Sequence, residues 1–331
     1  MDKMLITVII VNYNVYEDIK ECIASIQQNT KDLVFEFIVV DNNSSDRDID
    51  NIINDFPDVE YVKLDVNNGF GYANNVGLRK AKGEFILLMN PDILVEDDSI
   101  SLLVQFLRSN EKTGVVGPVL YKPGEGKERY YPFFPSLYSR LMQENWMFQT
   151  APITKQRFTT FWDKNVDKGI PFKVDWVMGA AMLIRKEIVD SIGGFDEAFF
   201  LYEEETEWEY RMSLKGWDRY IVPQAKMIHN HHSSTSKIGQ LFREYHEFRS
   251  RIVFWAKHDR GIKGVIRAVM IYTGLKLRPI WFSIKYAITR DSAYKTKKLI
   301  INNLLKFFKS GREAIINNRF DFNKDINMFK V

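Results

Sequence analysis

The strongest constraint on the fold is a series of short apolar runs that each end abruptly in a cluster of Asn and Asp. Leu5–Val11, Phe37–Val40 and Phe85–Met89 carry almost no polar side chains, which is typical of strands buried on both faces of a sheet. Polar clusters follow these runs directly, at residues 12–14, 41–46 and 90–92. The pattern predicts buried strands whose carboxyl ends carry side chains suited to binding a ligand.

Helical signals alternate with the predicted strands. Apolar side chains recur at helical spacing from Val15 to Ile26, and further strands are predicted at Val59–Leu64 and Gly114–Leu120. Later elements are predicted at Ala180–Ile184 (strand), Glu203–Lys215 (helix) and residues 219–229 (one or two strands). This alternation favours an α/β fold with a mainly parallel central sheet flanked by helices. The alternative, that the polar clusters are ordinary turn residues, stays open at this point.

Composition limits the classes of partner. The 331 residues carry a net charge of +3, so we expect the chain as a whole to bind no nucleic acid. Cys22 is the only cysteine and falls on the apolar face of the first helix, which predicts a buried thiol and a reducing compartment. Residues 1–3 lead straight into a strand, and no uncharged run approaches ~18 residues. We therefore expect no signal peptide, no spanning helix and a cytoplasmic location.

A glycine-rich segment, Asn68–Gly77, follows the third predicted strand. Its glycines allow a ligand to approach the backbone, and the helix after it offers N–H groups to an anion. The segment superficially resembles a dinucleotide-binding fingerprint, which would make the chain an NAD-dependent oxidoreductase. That fingerprint belongs after the first strand, whereas the first strand here ends in Asn12. The position of the glycines therefore argues against the oxidoreductase alternative.

Three more clusters contain groups that perform chemistry. Asp92 follows a buried strand, where a carboxylate is suited to a divalent cation that neutralises phosphate oxygens. Residues 203–209 include five Glu at the start of a helix. The helix dipole accounts for exposed acids there, but the aromatic neighbours favour a carboxylate with a raised pKa that acts as a base. His229, with His231 and His232 close behind, is a candidate metal ligand.

The rest of the chain divides into two regions. Residues 121–172 lack periodicity and hold many aromatic side chains, which predicts an acceptor pocket or lid or, alternatively, a satellite core. From residue 235 onward the pattern is helical. Residues 261–290 contain six Lys or Arg and no acid among apolar and aromatic residues, which predicts a helix that lies in a membrane interface. The alternative is an oligomerisation or packing element.

Taken in order, these motifs resemble those of family 2 glycosyltransferases with the GT-A fold. The resemblance rests on Val11–Asn14, Asp41–Asp46, Asn68–Asn75, Asn90–Asp92, Gly193–Glu197 and the pair Glu204 and Glu205, and it covers roughly residues 4–232. The most similar subgroup contains the rhamnosyltransferase-like and galactofuranosyltransferase-like enzymes of bacterial surface polysaccharides. The resemblance implies a GT-A domain at residues 1–234, with a donor-binding half at 1–120 and an acceptor-side half at 121–234. A basic, helical C-terminal region at 235–331 follows it.

The resemblance also implies roles for individual residues. The implied donor-binding residues are Asn12, Tyr13, Asp41, Asn43, Asn68, Gly69, Asn74 and Asn90. Asp92 and His229 would bind Mg²⁺ or Mn²⁺, and Glu205, with Glu204 as the alternative, would be the catalytic base. Two positions depart from the family pattern. Asn90 stands where the metal motif has its first acid, and Glu205 stands where the family has Asp.

The implied activity is the inverting transfer of a sugar from a UDP- or dTDP-linked donor to a growing polysaccharide or O-antigen acceptor. Rhamnose is the first candidate for the sugar, and the acceptor is expected to be lipid-linked. The implied enzyme is peripheral on the inner face of the cell membrane, and its oligomeric state is left open. Asn90 supports an alternative function, a nucleotide-sugar-binding protein with weakened catalysis.

Overall fold

The computed structural model of the chain describes residues 5–45, 52–135, 152–230 and 239–321. The strands are β1 (Leu5–Asn12), β2 (Val34–Asp41), β3 (Val59–Lys63), β4 (Phe85–Met89), β5 (Ile93–Val95), β6 (Thr113–Lys122), β7 (Gly126–Lys127), β8 (Phe172–Val174), β9 (Ala181–Arg185) and β10 (Asp218–His229). The helices are α1 (Tyr16–Asn29), α2 (Ile52–Asp55), α3 (Phe70–Lys80), α4 (Ser99–Ser109), α5 (Pro152–Asp167), α6 (Lys186–Ile192), α7 (Glu204–Leu214), α8 (Gln240–His258), α9 (Gly261–Thr289), α10 (Ala293–Lys309) and α11 (Arg312–Asn317).

The strands form a central sheet in the order β3-β2-β1-β4-β9-β6-β10-β5. β1 pairs in parallel with β2 and β4, and β2 with β3, so the predicted parallel sheet is confirmed for the first half of the chain. β9 is antiparallel to both β4 and β6. β6 and β10 pair in parallel and run in the same direction as β4. The carboxyl ends of β1, β2, β4, β6 and β10 therefore lie at one edge of the sheet.

The core lies on both faces of this sheet, as the apolar runs predict. Alternate residues of β1 face opposite sides, so Ile6, Val8 and Ile10 pack in one buried cluster and Ile9 in the other. Cys22 is fully buried in the first cluster, as predicted. Burial raises the pKa of its thiol, which is typical of an inert, structural cysteine.

The described residues form two compact units. The first contains those of Met1–Phe134, Lys155–Asp196 and Glu205–Lys237, and so includes the whole sheet. The second contains those of Pro135–Thr154, Glu197–Glu204 and Ile238–Val331, with helices α8 to α11. The segment before α7 thus groups with the C-terminal helices. The division expected from the resemblance, between residues 234 and 235, stays a prediction.

Two hydrogen bonds between the Asn75 side chain and the backbone of Phe195, here called the amide clasp, explain the Gly193-Gly194-Phe195 motif. The Asn75 side chain donates to the carbonyl oxygen of Phe195 at 2.9 Å and accepts from its N–H at 2.8 Å. A side chain on Gly194 would place its Cβ 2.1 Å from the Asn75 Oδ1 atom, so only glycine fits there. Gly193 has a φ of 81°, which also favours glycine. Its carbonyl oxygen accepts a hydrogen bond from Trp208 at 2.7 Å.

We expect Asn75→Ala to lower the free energy of unfolding by about 2–4 kcal/mol, because a buried N–H and a buried carbonyl oxygen both lose their partner. Urea denaturation followed by circular dichroism measures this loss. Asn165→Ala is the matched control, since among the described residues the Asn165 amide donates to a carbonyl oxygen of its own helix, that of Phe161. Equal losses in the two variants would contradict the clasp.

Candidate functional site

The first part of the candidate site lies where β1 and β2 end side by side. Asn12 and Asp41 pair in the register of the two strands, and both are fully buried. The Asn12 Nδ2 atom donates to Asp41 at 2.7 Å and to the Ser44 hydroxyl at 2.8 Å. The Asp41 carboxylate also accepts from the Ser44 N–H at 3.2 Å. These two predicted donor-binding residues thus order the loop from Asn42 to Ser45.

The same loop is joined to the glycine-rich segment by Asn42. Its Nδ2 atom donates to Asn67 at 2.9 Å and to the Gly69 carbonyl oxygen at 3.2 Å. Its Oδ1 atom accepts from the Asn68 N–H at 3.2 Å. Gly69, with a φ of 90°, is the N-cap residue of α3, and the Asn68 side chain is exposed. The structure therefore brings these predicted residues to the end of β2, with the amino end of α3 beside them.

The remaining predicted donor-binding residues contribute in different ways. Tyr13 is half-buried, and burial raises the pKa of its phenol, partly offset by a hydrogen bond with Asn67. Asn43 has a left-handed φ of 63°, a conformation that Asn tolerates better than most residues. Asn74 is buried and donates to the Phe70 carbonyl oxygen of its own helix at 3.0 Å. Asn90 is half-buried, and its N–H donates to Ala180 at 2.8 Å.

The second part of the site is a chain of three charged side chains. Asp92 is only 2% exposed, and within the described residues neither of its carboxylate oxygens accepts a hydrogen bond. One of them lies 3.5 Å from the His229 Nε2 atom. The opposite ring nitrogen of His229, Nδ1, lies 2.7 Å from the Glu128 carboxylate. The backbone also links Asp92 to β10, because the Asn230 N–H donates to the Asp92 carbonyl oxygen at 2.9 Å.

Electrostatics in this chain favour a protonated His229. Burial lowers the pKa of His229, but the carboxylates of Asp92 and Glu128 outweigh that effect and raise its pKa to about 9. At neutral pH the imidazolium then offsets the charge of the buried Asp92 carboxylate. A cation bound between Asp92 and Nε2 would take the place of this proton.

Asp92 and His229 fit the ligand set of a divalent cation. Among the described residues, no group of three or more His, Cys, Asp or Glu side chains is placed to hold a metal ion. Mg²⁺ nevertheless often has only one or two protein ligands, and water and substrate phosphates complete its coordination. Glu128 orients the His229 ring from behind, the common arrangement for a metal-binding histidine. The predicted pair therefore suits a metal held jointly with a nucleotide, whereas His231 and His232 lie outside the described residues.

The acidic cluster at α7 separates into distinct environments. Glu207 is buried and pairs with Arg211 at 3.0 Å. Glu209 is fully buried and accepts from the Val177 N–H at 3.0 Å, and burial raises its pKa well above the usual range. Glu205 is half-buried. Its side-chain carbon atoms lie 3.5–3.7 Å from the position that a Cβ atom on Gly179 would occupy. Glu205 thus lies against the backbone that precedes β9, next to Ala180, the partner of Asn90.

Glu204, the alternative base, belongs to the second unit. It is 4% exposed, whereas Glu205 is half-buried. Both residues lie in the first turn of α7, so the choice between them stays a prediction.

Sequence reasoning missed several residues that build the site. Asn42 holds two loops together, Gly179 lies against the Glu205 side chain, and Glu128 orients His229. Glu128 lies in the aperiodic stretch after β7, 101 positions before His229, and no spacing rule joins the two. Within the described part of residues 121–172, Trp162 is buried at 1% exposure between Tyr130 and Phe172. Trp162 belongs to the same buried cluster as Ile9 of β1, so this part of the stretch packs into the core of the sheet.

The sequence profile of glycosyl transferase family 2 matches residues 7–193, more than half of the chain. This chain belongs to glycosyl transferase family 2. The family is the one predicted from the motifs, and the match removes the support for an oxidoreductase.

This glycosyltransferase is similar over most of its length to curated relatives. It is 25% identical to a low-salt glycan biosynthesis hexosyltransferase of Haloferax volcanii, over 75% of this chain and 74% of that protein. It is 24% identical to the N-acetylglucosaminyl-diphospho-decaprenol L-rhamnosyltransferase of Mycobacterium tuberculosis, over 78% of this chain and 86% of that protein. The predicted likeness to rhamnosyltransferase-like enzymes is therefore confirmed.

The fold of the glycosyltransferase is likewise similar to a solved structure. That structure is GalNAc-T7 with UDP, GalNAc and Mn²⁺, at a TM-score of 0.57 and 16% identity. The alignment covers 77% of this chain and 49% of the other, so this chain spans about half of that protein. The GT-A fold predicted from the sequence is confirmed.

We expect the free energy of unfolding of this glycosyltransferase to depend on His229 above neutral pH. The folded-state pKa, about 9, lies above the ordinary value of 6.5. The stabilisation from the bound proton is therefore complete below pH 6.5 and disappears as the pH rises through 9. Urea denaturation between pH 6 and 10, without metal or nucleotide, measures the decline, which His229→Gln should remove.

The titration of His229 itself provides the control. By NMR, Glu128→Gln should lower the His229 pKa, because one of the two neighbouring carboxylates is lost. Glu125→Gln makes the same change at an exposed position of the adjacent turn and should leave that pKa unaltered. An ordinary His229 pKa in the unsubstituted protein would contradict the arrangement.

Proposed function

We propose that this glycosyltransferase transfers a sugar, with inversion, from a UDP- or dTDP-linked donor to a glycan acceptor that is carried on a lipid. The observation that carries the proposal is the Asp92 carboxylate, which is buried without a hydrogen bond within the described residues and faces His229 at 3.5 Å. A carboxylate kept in this state at a sheet edge is suited to a cation and a diphosphate. Glu205 lies beside the same edge, against Gly179, whose neighbour Ala180 accepts a hydrogen bond from the Asn90 N–H.

The donor site in this proposal extends from the ends of β1 and β2 to the end of β4. Tyr13, Asn43 and Asn68 line the pocket for the base, and Asn12 and Asp41 hold the loop that shapes it. Gly69 brings backbone N–H groups at the start of α3 close to the diphosphate, where the helix dipole favours negative charge. Asn74 fixes the first turn of α3 from within, and Asn90 orients the loop that carries Asp92.

A divalent cation held by Asp92 and His229, Mg²⁺ or Mn²⁺, would neutralise charge on the departing nucleoside diphosphate. Mn²⁺ is the metal in the similar structure, which supports the use of a divalent metal by this chain. Asn90 is neutral, so Asp92 is the one acidic side chain among residues 90–92, which follow β4. We therefore propose that donor phosphates supply part of the ligand set.

Glu205 acts as the general base in the proposed reaction. Its carboxylate takes the proton from the acceptor hydroxyl while the hydroxyl oxygen attacks the anomeric carbon and the nucleoside diphosphate leaves from the opposite face. A carboxylate that is held at the reacting hydroxyl in this way is one of the usual general bases. Glu204 is the alternative in the same turn.

Rhamnose is the first sugar to test. The similarity to a rhamnosyltransferase that acts on a diphospho-decaprenol-linked sugar supports both a deoxyhexose donor and a lipid-linked acceptor. The similarity to a hexosyltransferase keeps hexoses as the second choice. In this proposal residues 1–120 bind the donor and residues 121–234 bind the acceptor.

We expect Glu205→Gln to lower turnover by roughly 10²–10⁴-fold, the usual contribution of one general base. Donor affinity should change little, because the amide keeps the shape of the side chain. Release of nucleoside diphosphate from dTDP-rhamnose or UDP-hexoses with Mn²⁺ measures turnover, and calorimetry with the same donors measures affinity. Glu187→Gln, at an exposed position on α6, is the control.

Two outcomes would count against the mechanism. Near-normal turnover in Glu205→Gln would remove Glu205 as the base and make Glu204 the residue to test. Donor binding without turnover in the unsubstituted protein would favour the alternative function, a nucleotide-sugar-binding protein.

A membrane surface is the proposed location of the acceptor. Helix α9 exposes apolar side chains along its whole length, at Ile262, Val265, Ile266, Val269, Leu277, Ile280, Ile284 and Ile288. Most of these positions follow one another at intervals of three or four residues, which places them on one side of the helix, the stripe. Lys263 and Lys276 lie exposed on the same helix. In the part of the chain that the structure describes, no helix is long and apolar enough to cross a bilayer. The stripe is therefore suited to lying in the interface of an anionic membrane, with the enzyme peripheral to it.

We expect the double variant Ile280→Gln, Ile284→Gln to lower binding to anionic vesicles by about tenfold or more, because two large apolar side chains no longer leave water. Co-sedimentation with vesicles of phosphatidylglycerol and phosphatidylcholine measures this. The matched control is Ile170→Gln, Leu214→Gln, which changes two side chains exposed at 65% and 67% outside the helical unit. Equal binding by all three proteins would contradict the membrane role.

A further inference from the structure

The backbone immediately before α7 adopts an unusual conformation. Tyr202 and Glu203 have φ angles of 67° and 66°, so two consecutive residues other than glycine lie in the left-handed region. This conformation is unfavourable for a residue with a side chain, and it persists only where the surrounding structure fixes it. The next two residues are Glu204 and Glu205, the first turn of α7.

Side chains of helix α8 hold this strained segment by donating hydrogen bonds to the segment's carbonyl oxygens. The Ser250 hydroxyl donates to the Leu201 carbonyl oxygen at 2.8 Å. The Arg249 guanidinium donates to the Ala198 carbonyl oxygen at 2.8 Å and to the Asn318 carbonyl oxygen at 2.9 Å. Ser250 and Arg249 are exposed by 0% and 1%, respectively. Bonds in such a dry environment are costly to lose, since water does not replace them.

Side chains hold the same segment from a second direction. The ring of Phe200 stacks on His246 of α8, with ring centroids 4.8 Å apart, and also contacts Phe242 and Phe320. The Glu203 carboxylate lies 3.9 Å from Arg251, on the next turn of α8. The segment from Ala198 to Glu203 is thus held by the C-terminal helices through its backbone, an aromatic ring and a carboxylate.

We infer that helix α8 is a positioning element for the catalytic base, with Ser250 and Arg249 as its positioning residues. This inference rests on the proposed role of Glu205. The chain continues from the held segment into α7, so the dihedral angles at Tyr202 and Glu203 set the direction in which the first turn presents its carboxylates. A displacement of about 1 Å at a reacting group is enough to cost on the order of 100-fold in rate.

The inference gives the C-terminal helices a role in turnover that is separate from membrane binding. Membrane binding uses the exposed stripe of α9, whereas positioning uses buried groups of α8. The two roles therefore respond to different substitutions.

Ser250→Ala tests the inference, because it removes one hydrogen bond and leaves no buried charge. Ser283→Ala is the matched control: the Ser283 hydroxyl also donates to a carbonyl oxygen at 2.8 Å, but to Pro279 of its own helix α9. Turnover is followed as nucleoside diphosphate release from dTDP-rhamnose or UDP-hexoses with Mn²⁺. Hydrogen exchange of peptides covering residues 199–208 is followed by mass spectrometry without ligand.

In Ser250→Ala we expect kcat to fall by on the order of 10–100-fold, with the donor KM and the calorimetric donor affinity within about twofold of the unsubstituted protein. Exchange should rise in residues 199–208 and stay unchanged in the peptides of β1 and β4. Ser283→Ala should match the unsubstituted protein in every measurement. This split between kcat and KM separates positioning from a general loss of stability.

Three results would overturn the inference. The first is unchanged exchange in residues 199–208 of Ser250→Ala, and the second is a loss of donor affinity as large as the loss of kcat. The third is normal turnover of Ser250→Ala where Glu205→Gln is inactive, which would leave the proposed base intact and remove only the positioning role. Full activity of Glu205→Gln would instead overturn the base assignment itself.

Discussion

Burial of the Asp92 carboxylate is the constraint around which the candidate site is organised. Moving a carboxylate out of water costs several kcal/mol unless an opposite charge compensates it. His229 supplies that charge at 3.5 Å, and Glu128 keeps the imidazole protonated and oriented from the other side. The arrangement balances the buried charge without a ligand, and in the proposed function a cation would take the place of the Nε2 proton without any change of side chain. The sheet contributes by ending β4, β6 and β10 at the same edge.

The Glu side chains of α7 are chemically identical, but they lie in different environments. Residues four positions apart share a face, so Glu205 and Glu209 point in similar directions, but they reach different neighbours. Glu209 ends in the interior on the Val177 N–H, and Glu205 ends beside Gly179. Glu207, on another face, is neutralised by Arg211. A charge count alone does not separate these roles, because packing decides which carboxylate lies at the sheet edge.

Much of the fold was predictable because local patterns encode it. The strands β1, β2 and β4 are apolar throughout, and their polar ends identify the edge that carries Asn12, Asp41 and Asp92. Pairing between distant segments was not predictable in the same way. The antiparallel insertion of β9 and the contact of Glu128 with His229 depend on which elements meet in space, and a single sequence does not record that. Helix α5 was missed as well, although Pro152 stands at its first position, where proline is favoured.

The position of β9 has a consequence for the way the chain is made. β4 pairs on one side with β1, which is made before it, but its other neighbour is β9, which ends about a hundred residues later along the chain. At the usual speed of synthesis, roughly 5–20 residues per second, that partner emerges about 5–20 s afterwards. During this interval one side of an entirely apolar strand has open hydrogen-bonding groups, the kind of edge that invites association with other chains. The nascent chain is thus open to association along this edge while residues 90–185 are being translated.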